Sequence, residues 1–184
     1  MNHYFIGIKV PNEVAQNLSQ WQQLVKPYVS YRGWVHESDL HLTLKFLGPV
    51  SEQRVAQLAE QLEEITVPQF NLSIDGLSHF GKKEQPRVLF AKVQLVDPLT
   101  DLKEDVEKAA AALGFEQEKR SYKPHITLAK KWKGEMTLNT NLNNKINDPI
   151  NHFRVEEFQL FKIHPQNEPK YEVVKTFALK ETGE

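Results

Sequence analysis

The 184-residue chain predicts an α+β fold: a bilobal, duplicated arrangement with antiparallel sheets lining a central cleft and helices outside. Three observations predict it. A strand, an amphipathic helix and an alternating strand occur in that order twice. Each copy ends in a strand containing His-x-Thr, and the two histidines, His41 and His125, stand 84 residues apart. The strands that open the copies keep nearly the same period, with Val10 and Val93 separated by 83 residues. Motif, helix and preceding strand at one offset point to an internal repeat, about residues 4–48 and 88–131, inside a single domain over 1–184.

Residues 4–10 (YFIGIKV) are apolar, β-branched and aromatic, end at Pro11, and read as a strand. Asn12 is placed to cap a helix whose stripe of Val14, Leu18, Trp21 and Val25 stops near Pro27. Residues 34–35 read as a short strand. Residues 40–47 (LHLTLKFL) alternate cleanly and are closed by Gly48 and Pro49. Ser51 caps a second helix carrying Val55, Leu58, Leu62 and Ile65. Strands follow at 70–74 and 88–95. Asp97 then offers a cap with Pro98 at the first helical position. The third helix presents Leu99, Leu102, Val106, Ala109 and Leu113, and Gly114 suits its end. Residues 125–131 (HITLAKK) alternate again, and the tail offers strands at 155–163 and 171–179. Residues 139–151, of which six of 13 are Asn, read as irregular surface chain without functional support.

Composition excludes several classes of function. With 40% hydrophobic and 26% charged residues the chain is an ordinary globular protein. Its net charge of −1 disfavours coating nucleic acid or an anionic membrane by bulk charge, so an anionic ligand must be held locally. There is no cysteine, which removes disulfides, thiolate nucleophiles and cysteine-ligated metals. Apolar runs reach about five or six residues against the roughly 20 of a membrane-spanning helix. The N-terminus lacks the pattern of a signal peptide. The expectation is a cytoplasmic monomer without membrane attachment.

The chemistry lies in the two His-x-Thr strands. Side chains alternate along a strand, so His41 and Thr43 share one face while Leu42 and Leu44 share the other; His125, Thr127, Ile126 and Leu128 repeat this. The apolar residues account for the core side. The polar pairs then face each other across a groove of two imidazoles and two hydroxyls. Opening a phosphodiester needs a base for the nucleophile and an acid for the leaving oxygen, and histidine serves as either near neutrality. Threonine hydroxyls suit the non-bridging oxygens, where charge builds in the transition state. The scheme requires neither metal nor cofactor. One His-x-Thr alone carries little weight, because Thr favours strands anyway; two at equivalent places of a repeat carry much more.

His3, His36, His79, His152 and His164 show no such pairing and read as surface or structural residues, His36 being near enough to line the mouth of the groove. Lys119, Arg120, Lys123, Lys130, Lys131 and Lys133 surround the second motif with no acid among them, and Tyr122 and Trp132 are interleaved. Such a concentration suits an anionic ligand with a base or sugar to pack, although a solvated lysine-rich edge is the plainer account of any single lysine.

The segments HLTLKFLG (41–48) and PHITLAK (124–130) resemble the paired HxTx motifs of the 2H phosphoesterase superfamily. Within it the likeness is to the RNA 2′,3′-cyclic phosphodiesterases, also called 2′-5′ RNA ligases. It extends to FIGIKVP, YRGWVHESD, PRVLFAKV and the closing YEVVKTFALK. The resemblance implies a bilobal fold and metal-independent opening of a 2′,3′-cyclic phosphate at an RNA end, leaving a 2′-phosphate, with 2′-5′ joining as the accompanying activity. It implies His41 as proton donor, His125 as proton acceptor, Thr43 and Thr127 as phosphate-holding hydroxyls, and Phe46 near the terminal base. Strict alternation would instead put Phe46 with Leu42 and Leu44 on the core side. The family often carries arginine where Lys130 stands, and lysine keeps the charge but loses the bidentate fork. Three other readings stand beside this one: a phosphodiesterase for a small cyclic-phosphate nucleotide, a non-catalytic RNA-end binding module, and a metal hydrolase. The last is disfavoured by the lack of a ligand-spaced histidine pair.

Overall fold

A computed structural model describes residues 1–134, 138 and 141–182. Among the described residues, nine strands and three helices follow in the order β1 (His3–Lys9), α1 (Asn12–Val25), β2 (Tyr31–Trp34), β3 (His41–Pro49), α2 (Glu52–Leu62), β4 (Phe70–Lys82), β5 (Gln85–Val93), α3 (Asp97–Ala111), β6 (His125–Trp132), β7 (Ile150–Val155), β8 (Glu157–Ile163) and β9 (Tyr171–Ala178). Short 3-10 turns occupy Lys26–Tyr28, Glu37–Asp39 and Leu142–Lys145.

The strands pair antiparallel in the order β7-β4-β5-β6-β3-β1-β8-β9, with β2 beside β6. The order is palindromic about the junction of β6 and β3. There, among the described residues, the ladder is the single pair Leu42–Ile126. Outward from it come β1 and β8 on one side, β5 and β4 on the other. One apolar core holds the structure together, and it takes in the stripes that periodicity selects: Val14, Leu18, Trp21 and Val25 from α1, Val55, Leu58 and Leu62 from α2, Leu99, Leu102 and Val106 from α3. In α3 the fourth buried position is Ala110, not Ala109, because the helix ends at Ala111 and the stripe drifts before Leu113.

Two predicted caps are corrected. Pro11 and Val96 occupy the N-cap positions of α1 and α3 without side-chain bonds, so Asn12 and Asp97 are the first helical residues and not caps. Ser51 does cap α2, its hydroxyl accepting from Arg54 N at 3.3 Å. Gly114, at φ +84°, supplies the left-handed residue after α3, and Phe115 N bonds back to Ala110 O at 3.1 Å.

The Asn-rich segment is also more ordered than its composition predicts. Residues 139 and 140 lie outside the described ones, but Leu142–Lys145 forms a 3-10 turn that buries Leu142, and β7 begins at Ile150 and pairs with β4. Asn143 acts as a piece of strand. Its side-chain amide accepts from Leu77 N at 2.7 Å and donates to Leu77 O at 3.1 Å, beside a kink at Gly76 (φ +71°). That kink lets β4 run on to Lys82, well past the predicted end at residue 74.

Candidate active site

His41, Thr43, His125 and Thr127 are partly exposed, while Leu42, Leu44, Ile126 and Leu128 are buried, as alternation requires. Because Leu42 pairs with Ile126 antiparallel, His41 is brought beside Thr127 and Thr43 beside His125. Two imidazoles and two hydroxyls thus form one cleft floor where the two halves meet.

Both rings are oriented in the same way. His41 Nδ1 lies 2.7 Å from Asp39 O, and His125 Nδ1 lies 2.7 Å from Lys123 O, two residues upstream in each case. A carbonyl only accepts, so in the neutral ring Nδ1 carries the hydrogen and Nε2 is left for the cleft. In that tautomer the Thr43 hydroxyl donates to His41 Nε2, 2.9 Å away. Aromatic rings fix the sides. Phe5 lies 4.5 Å, Tyr171 5.1 Å and Phe161 6.0 Å from the His41 ring, centre to centre. Phe80 and Phe90 lie 4.9 Å and 5.2 Å from that of His125. Gly7 makes the first packing achievable, since a Cβ there would stand 2.7 Å from Leu42 O and 3.6 Å from the His41 ring.

Burial in its aromatic box drives the His41 pKa down to about 4. The Asp39 carbonyl and carboxylate oppose this, and repulsion from His125 and Lys130 adds to it. His41 is therefore neutral in the free protein near pH 7. Asp39 itself is 4% exposed, and its carboxylate accepts from Lys170 N at 2.8 Å and Tyr171 N at 3.1 Å. It thereby ties the start of β9, and with it Tyr171, to the strand that carries His41. Phe5, Tyr171 and Lys170 lie too far from the motifs in sequence to be singled out by it. The one local signal is that Asp39 and Lys123 stand two residues before their histidines.

Phe46 belongs to the cleft side and is 61% exposed. Strict alternation fails because Gly7 faces Thr43 while Ile6 faces Lys45, leaving Leu44 as an extra residue that reverses the phase of β3. Lys45 is turned inward instead, 2.9 Å from Glu107 and 2.8 Å from Glu116 O. Phe46 borders a groove of about 420 Å³ lined also by Leu47, Gly48, Phe115, Gln117 and Lys119. Lys130 occupies the matching position of β6, beyond an extra residue at Leu128. Partial burial, then Lys170 and Lys131, lower its pKa. Other parts of the basic cluster serve the scaffold. Arg120 pairs with Glu118 at 3.1 Å, Tyr122 donates to Thr43 O at 2.8 Å, and Trp132 packs edge-on against Tyr31 at 5.0 Å. His36 caps the turn at Glu37–Asp39 by accepting from Ser38 N, and His164 pairs with Glu172 at 2.7 Å.

The family model of the 2′-5′ RNA ligase superfamily matches residues 10–167. The RNA 2′,3′-cyclic phosphodiesterase of Bacillus subtilis is 35% identical over 179 residues, covering 96% of both chains. That of Geobacillus stearothermophilus is 33% identical over 180 residues, 97% of this chain, which spans 57% of the length of that relative. Among solved structures, a phosphoesterase superposes with a TM-score of 0.79 at 26% identity, covering 97% of this chain and 98% of its own. LigT of E. coli complexed with 3′-AMP superposes with a TM-score of 0.79 at 27% identity over the same shares.

Proposed function

From the premise that the chain belongs to the 2′-5′ RNA ligase superfamily, we propose that it hydrolyses a 2′,3′-cyclic phosphate at an RNA end to a 2′-phosphate. The observation that carries this reading is the pair of Nε2 atoms, each freed for one cleft by the same Nδ1–carbonyl bond and each accompanied by a threonine. Water attacks phosphorus and loses its proton to His125 Nε2. The P–O3′ bond breaks, and O3′ takes a proton from His41 Nε2, leaving a 3′-hydroxyl beside the 2′-phosphate. Thr43 and Thr127 donate to the non-bridging oxygens as their charge grows. Phe46 offers an exposed ring to the terminal base, and Lys130 a cation to the phosphate chain. A 5′-hydroxyl in place of water runs the same proton transfers and yields a 2′-5′ linkage. The domain as we read it is one unit built by duplication; the palindromic strand order supports this, since β1 and β3 correspond in position to β5 and β6.

Assigning His41 as donor demands more than geometry, because a ring titrating near pH 4 holds no proton at pH 7. The substrate supplies the remedy. A phosphate anion placed beside the ring favours its charged form, so proton and substrate enter together. No helix of the described chain is long and apolar enough to cross a membrane. Incubation with an oligonucleotide ending in a 2′,3′-cyclic phosphate tests the proposal. A 2′-phosphate end is expected; a 3′-phosphate product, or binding without turnover, overturns it.

A further inference from the structure

Each motif strand carries, directly after its threonine, a residue that its neighbour does not accommodate, and β3 carries a second one at Leu47. Leu44 has no opposite number in β1, and Leu128 has none in β5. These bulges reverse the alternation, which is how His, Thr and the residue three beyond Thr (Phe46 or Lys130) come to one face. A bulge also releases backbone groups from the ladder, and a buried carbonyl needs a donor.

The donors arrive crosswise. Lys103 of α3, in the second half, donates to Leu44 O in the first half at 2.6 Å. Gln22 of α1, in the first half, donates to Leu128 O in the second at 2.9 Å, an oxygen that also accepts from Val35 N at 3.0 Å, and to Val35 O at 2.9 Å. Gln22 is 4% exposed, a polar residue inside an apolar stripe. The Lys103 ammonium is held by Glu107 at 2.8 Å, which also holds Lys45 at 2.9 Å. Burial pushes the Glu107 carboxyl up, but the bonds from Lys103 and Lys45 outweigh it and keep the carboxyl ionised. Two unrelated side chains thus perform one task at equivalent places.

We infer that Gln22 and Lys103 are positioning residues for the reaction, each fixing the bulge that aims the histidine and threonine of the opposite half. Without its side-chain donor the bulge is held less firmly, and a one-residue slip turns every side chain beyond it to the other face. The inference rests on the cyclic-phosphate reading of the site, and its test includes a readout that does not.

The variants are Gln22→Met and Lys103→Met, which keep length and lose the donor, and Lys103→Gln, which keeps a donor without the charge. With a nucleoside 2′,3′-cyclic phosphate, each Met variant is expected to lose about 10–100-fold in kcat, the scale of a displacement near 1 Å. KM should stay within about twofold of the parent, and Lys103→Gln should recover most of the loss. Independently of turnover, the ring resonances of His41 and His125 are followed while inorganic phosphate is added. Gln22→Met should alter the response of His125 and spare that of His41; Lys103→Met should do the reverse. Folded variants with parental kcat and parental ring resonances overturn the inference, even with a lowered Tm, because the two bonds are then only structural. If Gln22→Met fails to fold, the contrast between Lys103→Met and Lys103→Gln decides alone. A parent protein that does not hydrolyse the cyclic phosphate fails the functional proposal, while the resonances still decide this one.

Discussion

His41 and His125 are bound alike and surrounded differently. If they act as acid and base on one phosphorus, His41→Ala and His125→Ala should each lower kcat/KM by about 10²–10⁴-fold. The double variant should fall little below the worse single one, since groups acting as a unit are not additive. Steady-state kinetics of the three proteins checks this; near-parental turnover in either single variant removes that histidine from the mechanism. The depressed pKa of His41 makes two further predictions. Phosphate binding near pH 6–7 should be accompanied by proton uptake, seen calorimetrically as a dependence on buffer ionisation enthalpy. Binding without uptake would make His41 the acceptor and reverse the assignment. Stability should respond as well. Folded His41 titrates near pH 4 and unfolded histidine near 6.5, so between those values the unfolded chain binds the extra proton and stability rises with pH. The parent should therefore lose up to about 3 kcal/mol relative to His41→Gln as pH falls through that window, measured by urea denaturation. Parallel pH profiles for the two proteins would refute the buried neutral imidazole. At this scale the motif residues are legible because His and Thr recur at one offset. Asp39, Phe5 and Tyr171 are not, because what they do depends on chain far from them in sequence.

An element is predicted well from sequence where its period is unbroken, and poorly where a residue is inserted. The helices are legible because three or four apolar residues at helical spacing determine the buried face. Their caps are less so, since a residue of capping type next to a proline serves equally as the first helical position. The side of Phe46 is not legible at all from β3 alone, because the extra residue at Leu44 exists only relative to β1. That dependence can be tested from the β1 side. Gly7 lies beneath the His41 ring with 2.7 Å between its would-be Cβ and Leu42 O, so Gly7→Val must push β1 away from β3. The expected cost is about 1–3 kcal/mol of overpacking, read as a lower denaturation midpoint with an unchanged slope. The loss of kcat should exceed any change in KM, because the displaced strand carries Phe5, which sets the ring's orientation. A Val variant with parental stability and kcat would show that β1 is not the strand that orients His41.

At the scale of the molecule, the first half converges on the second along β6, which pairs with both β3 and β2, and Lys130 and Lys170 stand near each other in a nearly neutral chain. The recurrence of His-x-Thr is visible in the sequence; that the two strands carrying it converge is visible only in the strand order. The same convergence determines what the cleft can bind. Its floor offers two imidazoles and two hydroxyls, with no carboxylate side chain on the cleft-facing positions of either motif. Asp39, the nearest acid, spends both carboxylate oxygens on the backbone of Lys170 and Tyr171. Catalytic zinc is usually held by three protein ligands, and magnesium wants oxygen ligands, so this donor set is a poor cage for either. Lys130 and Lys170 add positive charge at the mouth, which attracts phosphate and repels a divalent cation. Turnover of a 2′,3′-cyclic phosphate should therefore persist in excess chelator and gain nothing from added magnesium, manganese or zinc. Oligonucleotide KM should rise with salt more steeply than that of a mononucleoside 2′,3′-cyclic phosphate, because only the longer substrate reaches the cations beyond the floor. Activity lost in chelator and restored by one metal would replace the two-histidine mechanism with a metal-bound water. Equal salt dependence for the two substrates would instead leave that mechanism standing and remove the mouth lysines from RNA binding.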